Sequence, residues 1–131
     1  MRALQPTLLR QMIGFAAVGV VNTAVGVAVI WGAWRLLDWS ALASNAAGYG
    51  VGFVLSYVLH RFVTFQSGAP IRRSLPRYAL VLAAGYGANL GVLFGLLALN
   101  APFVWAQLAA LITFSVLVFT GSRLFAFDAA G

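Results

Sequence analysis

The sequence predicts an all-α membrane protein, a four-transmembrane-helix bundle of two parallel two-helix repeats with both termini on the cytoplasmic side. Three observations predict it: four long uncharged apolar runs, arginines gathered on alternate connections, and polar residues that recur at matched spacings. Hydrophobic residues make up 63% of the 131 positions and charged residues 8%. The mean hydropathy is +0.96, whereas a soluble domain is only about half apolar. That balance excludes a water-soluble fold. Four spans of about 20 residues each would use most of the chain, so a single integral membrane domain over residues 1–131 is expected, with no room for a soluble catalytic domain. The absence of cysteine excludes disulfides and thiolate metal sites.

The first span is expected over about residues 11–34. It is uncharged from Ile13 to Trp34, too long for the apolar core of a cleaved leader, which runs about 7–15 residues. A polar turn with Arg35, Asp38 and Ser40 separates it from the second span, about 42–60, which closes on His60 and Arg61. A connection holding Gly68, Pro70, Arg72, Arg73 and Pro76 leads to the third, about 77–99. Asn100 and Pro102 precede the fourth, about 104–123, which closes on Arg123. All four must be helices, because four isolated strands could not close a barrel and lipid offers the backbone no hydrogen bonds. All eight basic residues are arginine, against Asp38 and Asp128, giving a formal charge of +6. Arg2, Arg10, Arg61, Arg72, Arg73, Arg77 and Arg123 fall on one side and Arg35 on the other, so the positive-inside rule sets both termini and the middle connection in the cytoplasm. Trp34, Trp39 and Trp105 fall near the opposite interface, where amphipathic rings belong.

Polar anchors suggest an internal repeat. Arg10 precedes Asn22 as Arg77 precedes Asn89, by twelve positions. Asn45 precedes Arg61 as Gln107 precedes Arg123, by sixteen, with Phe65 and Phe127 each four beyond the arginine. Two helices per half return the chain to its starting side, as in transporters built from parallel repeats.

Small residues recur every fourth position in the second span (Ser44, Gly48, Gly52, Ser56) and the third (Ala83, Gly87, Gly91, Gly95). Such ladders let helix backbones approach closely, as packing seams or as the seam of a homodimer. Asn22, Asn45, Asn89 and Gln107 supply one amide per span, each costly to leave unpaired in hydrocarbon. They either bond one another across helices or offer donors and acceptors to the hydroxyls of a sugar crossing the membrane. Arg61 and Arg123, with His60, Arg77 and Arg10, ring the cytoplasmic rim. A guanidinium fork matches a phosphate, and the same residues also serve as anchors to anionic lipids. Neither aspartate lies in a span, so a proton-coupled exchanger lacks its carboxylate. Ala-Ala-Gly-Tyr-Gly at 46–50 and 83–87 lacks the Thr-Val of a potassium filter and lies inside continuous spans. No nucleotide loop, metal cluster, nucleic-acid signature or nucleophile–base set appears, so no cofactor and no enzymatic activity is expected.

Gly14-Phe15-Ala16-Ala17-Val18-Gly19-Val20-Val21-Asn22-Thr23 resembles the first helix of the GtrA-like family, whose pattern is roughly Arg-Phe-x-x-Val-Gly-x-x-Asn-Thr. His60-Arg61-Phe62-Val63-Thr64-Phe65 is similar to its Asn-Arg-x-Trp-Thr-Phe, and Arg123 to Phe127 to its closing Arg-x-x-x-Phe. Gly14, His60 and Val63 depart from that pattern, where arginine, asparagine and tryptophan are usual. The resemblance covers nearly the whole chain. It implies a flippase of the inner (plasma) membrane that moves a polyprenyl-phosphate-linked sugar to the outer leaflet for cell-surface polysaccharide synthesis, beside a membrane glycosyltransferase that loads the lipid. The alternative is a non-transporting anchor or adaptor for that glycosyltransferase.

Overall fold

The computed structural model describes residues 7–128; Arg2, one of the expected rim anchors, lies outside them. The described chain is helical, in the order α1 (Leu8–Leu36), α2 (Ala41–Leu59), a π-helical turn (His60–Thr64), α3 (Ile71–Ala98), α4 (Phe103–Gly121) and a second π-helical turn (Ser122–Ala126). With each π-turn continuing its helix, all four elements are long and apolar enough to cross a membrane: Leu8–Leu36, Ala41–Thr64, Ile71–Ala98 and Phe103–Ala126. At about 1.5 Å per residue the shortest reaches about 36 Å, beyond the roughly 30 Å of a hydrocarbon core. The chain divides between Gln66 and Ser67 into two compact units, each one helical hairpin.

Local chemistry sets the helix ends. Thr7 and Ser40 cap α1 and α2, their hydroxyls accepting from the N–H of Arg10 and Ala43 at 3.1 Å, which satisfies one of the orphan donors of a first turn. Pro70 and Pro102 stand at the N-caps of α3 and α4. Both hairpin loops turn on a left-handed residue, Asp38 (φ 57) and Asn100 (φ 64), side chains that tolerate this region better than most. The N–H of Trp39 donates to Ala33 O and that of Ala101 to Leu96 O, each at 3.0 Å.

The third helix starts at Ile71, not near residue 77 as Pro76 suggested. Pro76 sits inside α3 and forfeits one intrahelical bond. The preceding turn is held by other contacts: Ser74 is fully buried, and Arg73 Nη2 donates to Asp128 O at 2.8 Å.

In the first hairpin Ser44, Gly48, Gly52, Ser56, His60 and Thr64 are all buried, one continuous every-fourth-residue seam against α1. A Cβ on Gly48 would collide with Ile30 and lie 3.0 Å from the backbone oxygen of Gly26. The second hairpin buries Ala106, Ala110 and Val118 of α4 and Ser122 and Ala126 of its π-turn against Ser74, Tyr78, Val81 and Gly85 of α3. The expected ladder on α3 is not this seam. Ala83, Gly87, Gly91 and Gly95 are all exposed, because they start about 200° around the helix from Gly85, whose missing Cβ makes room for Val118 and Phe114.

The repeat is present, but its register in the first helices differs from the amide spacing. Second helices match at 62 positions: Ser44 with Ala106, Gly48 with Ala110, Ser56 with Val118, Phe65 with Phe127, all buried. First helices match at 63: they begin at Leu8 and Ile71, and bury Gln11 with Ser74 and Val18 with Val81. Asn22 therefore corresponds to Gly85, Arg10 to Arg73, and Arg77 to Gly14. The twelve-residue spacing of arginine and asparagine had shifted the comparison by one helical turn, which preserves the helix face and so hides the error.

Candidate functional site

Each hairpin closes at its open end, opposite the loop, on a π-turn carrying an arginine. In the first, the N–H of Phe65 donates to His60 O at 2.8 Å; in the second, that of Phe127 donates to Ser122 O at 2.9 Å. π-Turns of this kind recur at functional sites, and these two place Arg61 and Arg123 at matching positions. Arg61 is half-buried, its guanidinium carbon 5.0 Å from the Phe62 ring centroid, and Arg123 is exposed.

His60 is not on the rim. It is 4% exposed, stacked on Phe15 at 4.8 Å and hydrogen-bonded through Nδ1 to Thr64 Oγ1 at 3.1 Å. The imidazole packs α1 against the π-turn and so fixes where Arg61 leaves the helix. Arg77 donates from Nη1 to Phe125 O at 3.2 Å and lies 4.5 Å over the Phe125 ring. With Arg73 on Asp128 O and Ser67 Oγ on Phe127 O at 2.6 Å, three side chains satisfy carbonyls at the end of the helix and just beyond it. Arg10 is exposed near the start of α1.

The four amides divide. Asn22 faces α2 inside the first hairpin, where a Cβ on Gly52 would lie 3.3 Å from its Nδ2 and 3.5 Å from its Oδ1. That Oδ1 is enclosed and has no hydrogen-bond partner. Asn45 and Gln107 are exposed, and Asn89 is half-buried. Asn22 is level with Gly52, so Asn45 lies about seven residues, or about 10 Å, further along the hairpin. The first hairpin does not bond its two amides together.

Sequence reasoning missed Gly52 as the partner of Asn22, the π-turns, and the carbonyl-capping role of Arg73 and Arg77. One signal was available: Gly14-Phe15 and Arg77-Tyr78, each followed three residues later by valine (Val18, Val81), mark the true register. Among the described residues no cluster of histidine, aspartate or glutamate could hold a metal ion.

Two hairpins of membrane-spanning helices, each ending on an arginine-bearing π-turn, define a small multi-pass membrane protein made by repeating one helical unit. The chain matches the family model described as GtrA/DPMS, transmembrane domain, over residues 14–127 and belongs to that family. It is accordingly a membrane protein of glycan synthesis. No curated protein and no solved structure matches it.

Proposed function

We propose that this protein is a flippase, carrying a polyprenyl-phosphate-linked sugar from the cytoplasmic to the outer leaflet of the inner membrane. The observation that carries the reading is the pair of equivalent π-turns presenting Arg61 and Arg123 at the open ends of the two hairpins. A guanidinium binds a phosphate through paired charge-assisted hydrogen bonds, and a lipid phosphate lies at the depth of such helix ends. Arg10, Arg61, Arg72, Arg73, Arg77 and Arg123 all lie at open ends and Arg35 beside a loop, which by the positive-inside rule makes the open ends and both termini cytoplasmic. His60 serves as a positioning group behind Arg61 rather than as a phosphate ligand. The mid-span amide of Asn22 meets the sugar, with Asn45 about 10 Å further along the same hairpin. The prenyl tail stays in lipid. Transport is passive and non-catalytic, driven by consumption of the sugar lipid outside and supplied by a membrane glycosyltransferase.

The test is reconstitution: purified protein in liposomes with a polyprenyl-phosphate sugar, timing its appearance in the outer leaflet. Acceleration over empty vesicles is expected, with Arg61→Glu abolishing it; a rate equal to empty vesicles overturns transport. A second reading, an adaptor that anchors the glycosyltransferase, is favoured by the exposed ladder Ala83, Gly87, Gly91 and Gly95, a face suited to close approach of another helix. In that case the vesicle rate stays at background while the enzyme co-purifies with the chain and is lost on Gly91→Leu.

A further inference from the structure

We infer that the first hairpin alone reads the sugar hydroxyls, at a mid-span notch where Gly52 positions Asn22, and that the second hairpin has the equivalent crossing filled by Val118 and Phe114. This rests on the transport reading above. Asn22 is the midpoint of Leu8–Leu36, about 21 Å from either end, where the membrane is driest. Its Oδ1 is enclosed and unpartnered, a costly arrangement at mid-membrane.

The second hairpin shows that the fold does not need the amide. At the corresponding crossing Asn22 is replaced by Gly85 and Gly52 by Phe114, and a Cβ on Gly85 would lie 2.7 Å from Val118 Cγ2 and 3.4 Å from Phe114 Cδ2. A knob from one helix still fills a hole in the other, with direction reversed and polarity removed. Packing therefore accounts for a large residue opposite a glycine but not for an amide there. A free carbonyl oxygen calls for a donor. An ionised phosphate has only acceptors to offer, whereas a sugar has hydroxyls. The notch thus discriminates the sugar rather than the lipid phosphate. Gly52 acts through Asn22: a methyl at 3.3 Å from Nδ2 would push the amide out of line.

The test uses the purified full chain in detergent and measures affinity for polyprenyl phosphate carrying glucose, galactose or mannose, each against bare polyprenyl phosphate. The wild type is expected to prefer one sugar lipid over the bare lipid by about tenfold, the scale of one or two neutral hydrogen bonds. The exchange Asn22→Gly with Gly52→Phe, which copies the second hairpin, should bind bare lipid as before and lose that preference, and Gly52→Ala should lose part of it. Should the exchange fail to fold, Asn22→Ala, which only removes atoms, carries the same expectation. A sugar preference unchanged in Asn22→Ala overturns the inference, as does an equal loss of affinity for bare and sugar-bearing lipid, the signature of a side chain that holds the hairpin together rather than the sugar. A wild type with no preference for any of the three sugars overturns the inference while leaving phosphate capture standing. Failure to bind even bare lipid overturns the transport reading itself.

Discussion

The two hairpins solve the same packing problem with different chemistry. Along α2 and its π-turn the buried seam is Ser44, Gly48, Gly52, Ser56, His60 and Thr64; at the equivalent positions α4 and its π-turn have Ala106, Ala110, Phe114, Val118, Ser122 and Ala126. The first seam is polar and glycine-rich, the second mostly apolar and bulkier. In lipid, hydrophobicity gives no drive for helices to associate, so both rely on close contact. The first gains it by backbone approach at Gly48, the second by seating Val118 and Phe114 over Gly85. The comparison separates what the hairpin needs, a knob in a hole at mid-span, from what only the first seam contains, an amide and an imidazole.

The sharpest way to break this comparison is to rebuild the second hairpin in the image of the first, with Gly85→Asn and Phe114→Gly. Removing the phenyl opens space, but its contacts are lost and Val118 Cγ2 still stands 2.7 Å from where the asparagine Cβ must sit, so Val118 has to shift. Because lipid is as apolar as the seam, the loss is one of dispersion and cavity formation rather than of water transfer. A destabilisation of about 2–4 kcal/mol is expected, measured by reversible unfolding in mixed micelles. No loss would mean the two seams are interchangeable.

Gly48→Ala is expected to come next, at about 2 kcal/mol. Ile30 can rotate away from the new methyl, but the Gly26 carbonyl 3.0 Å from it belongs to the backbone and cannot move without separating the helices. Gly91, with nothing within 4 Å, is the control: alanine there should be neutral or slightly stabilising, since glycine costs helices about 1 kcal/mol. Equal effects at the two sites would refute the assignment of the seam to the Gly48 face.

What the sequence revealed follows the strength of each physical signal. The four spans were legible because about 20 apolar residues in a row have no other use, and the start of α3 was misplaced because Pro76 is a local breaker overruled by the burial of Ser74. The seam on α2 was legible because Ser44, Gly48, Gly52 and Ser56 form a four-step ladder that runs on into His60 and Thr64. On α3 small residues lie on two faces, and nothing local says whether Gly85 or the Gly87–Gly91–Gly95 line meets the neighbouring helix. Choosing Asn22 and Asn89 as anchors misaligned the repeat by a turn, since amides were assumed to be equivalent and only one of them fills a notch. The π-turns leave no signature in composition at all. His60 was read as a rim group because it adjoins Arg61, but one step around a helix separates the exposed from the buried face.

The same register supplies the smallest and most direct test, at the open ends. Arg77 caps Phe125 O and lies over the Phe125 ring, and its equivalent in the first hairpin is Gly14, so the first hairpin lacks this cap. Arg77→Ala should destabilise the second hairpin by about 1 kcal/mol, one exposed hydrogen bond and one cation–π contact. Gly14→Arg should stabilise the first by about 0.5–1 kcal/mol, partly because any residue outranks glycine inside a helix. Space permits it: a Cβ at Gly14 would meet Thr64 at 3.6 Å, ordinary contact. From there the guanidinium reaches toward Val63 O, the counterpart of Phe125 O. Gly14→Ala isolates the backbone gain, so the difference between the arginine and alanine variants reads the cap alone. If that difference is zero while Arg77→Ala is costly, the two open ends are not equivalent and the 63-residue register of the first helices is wrong; if it matches the loss at Arg77, the capping geometry is a property of the repeated hairpin and not of one sequence.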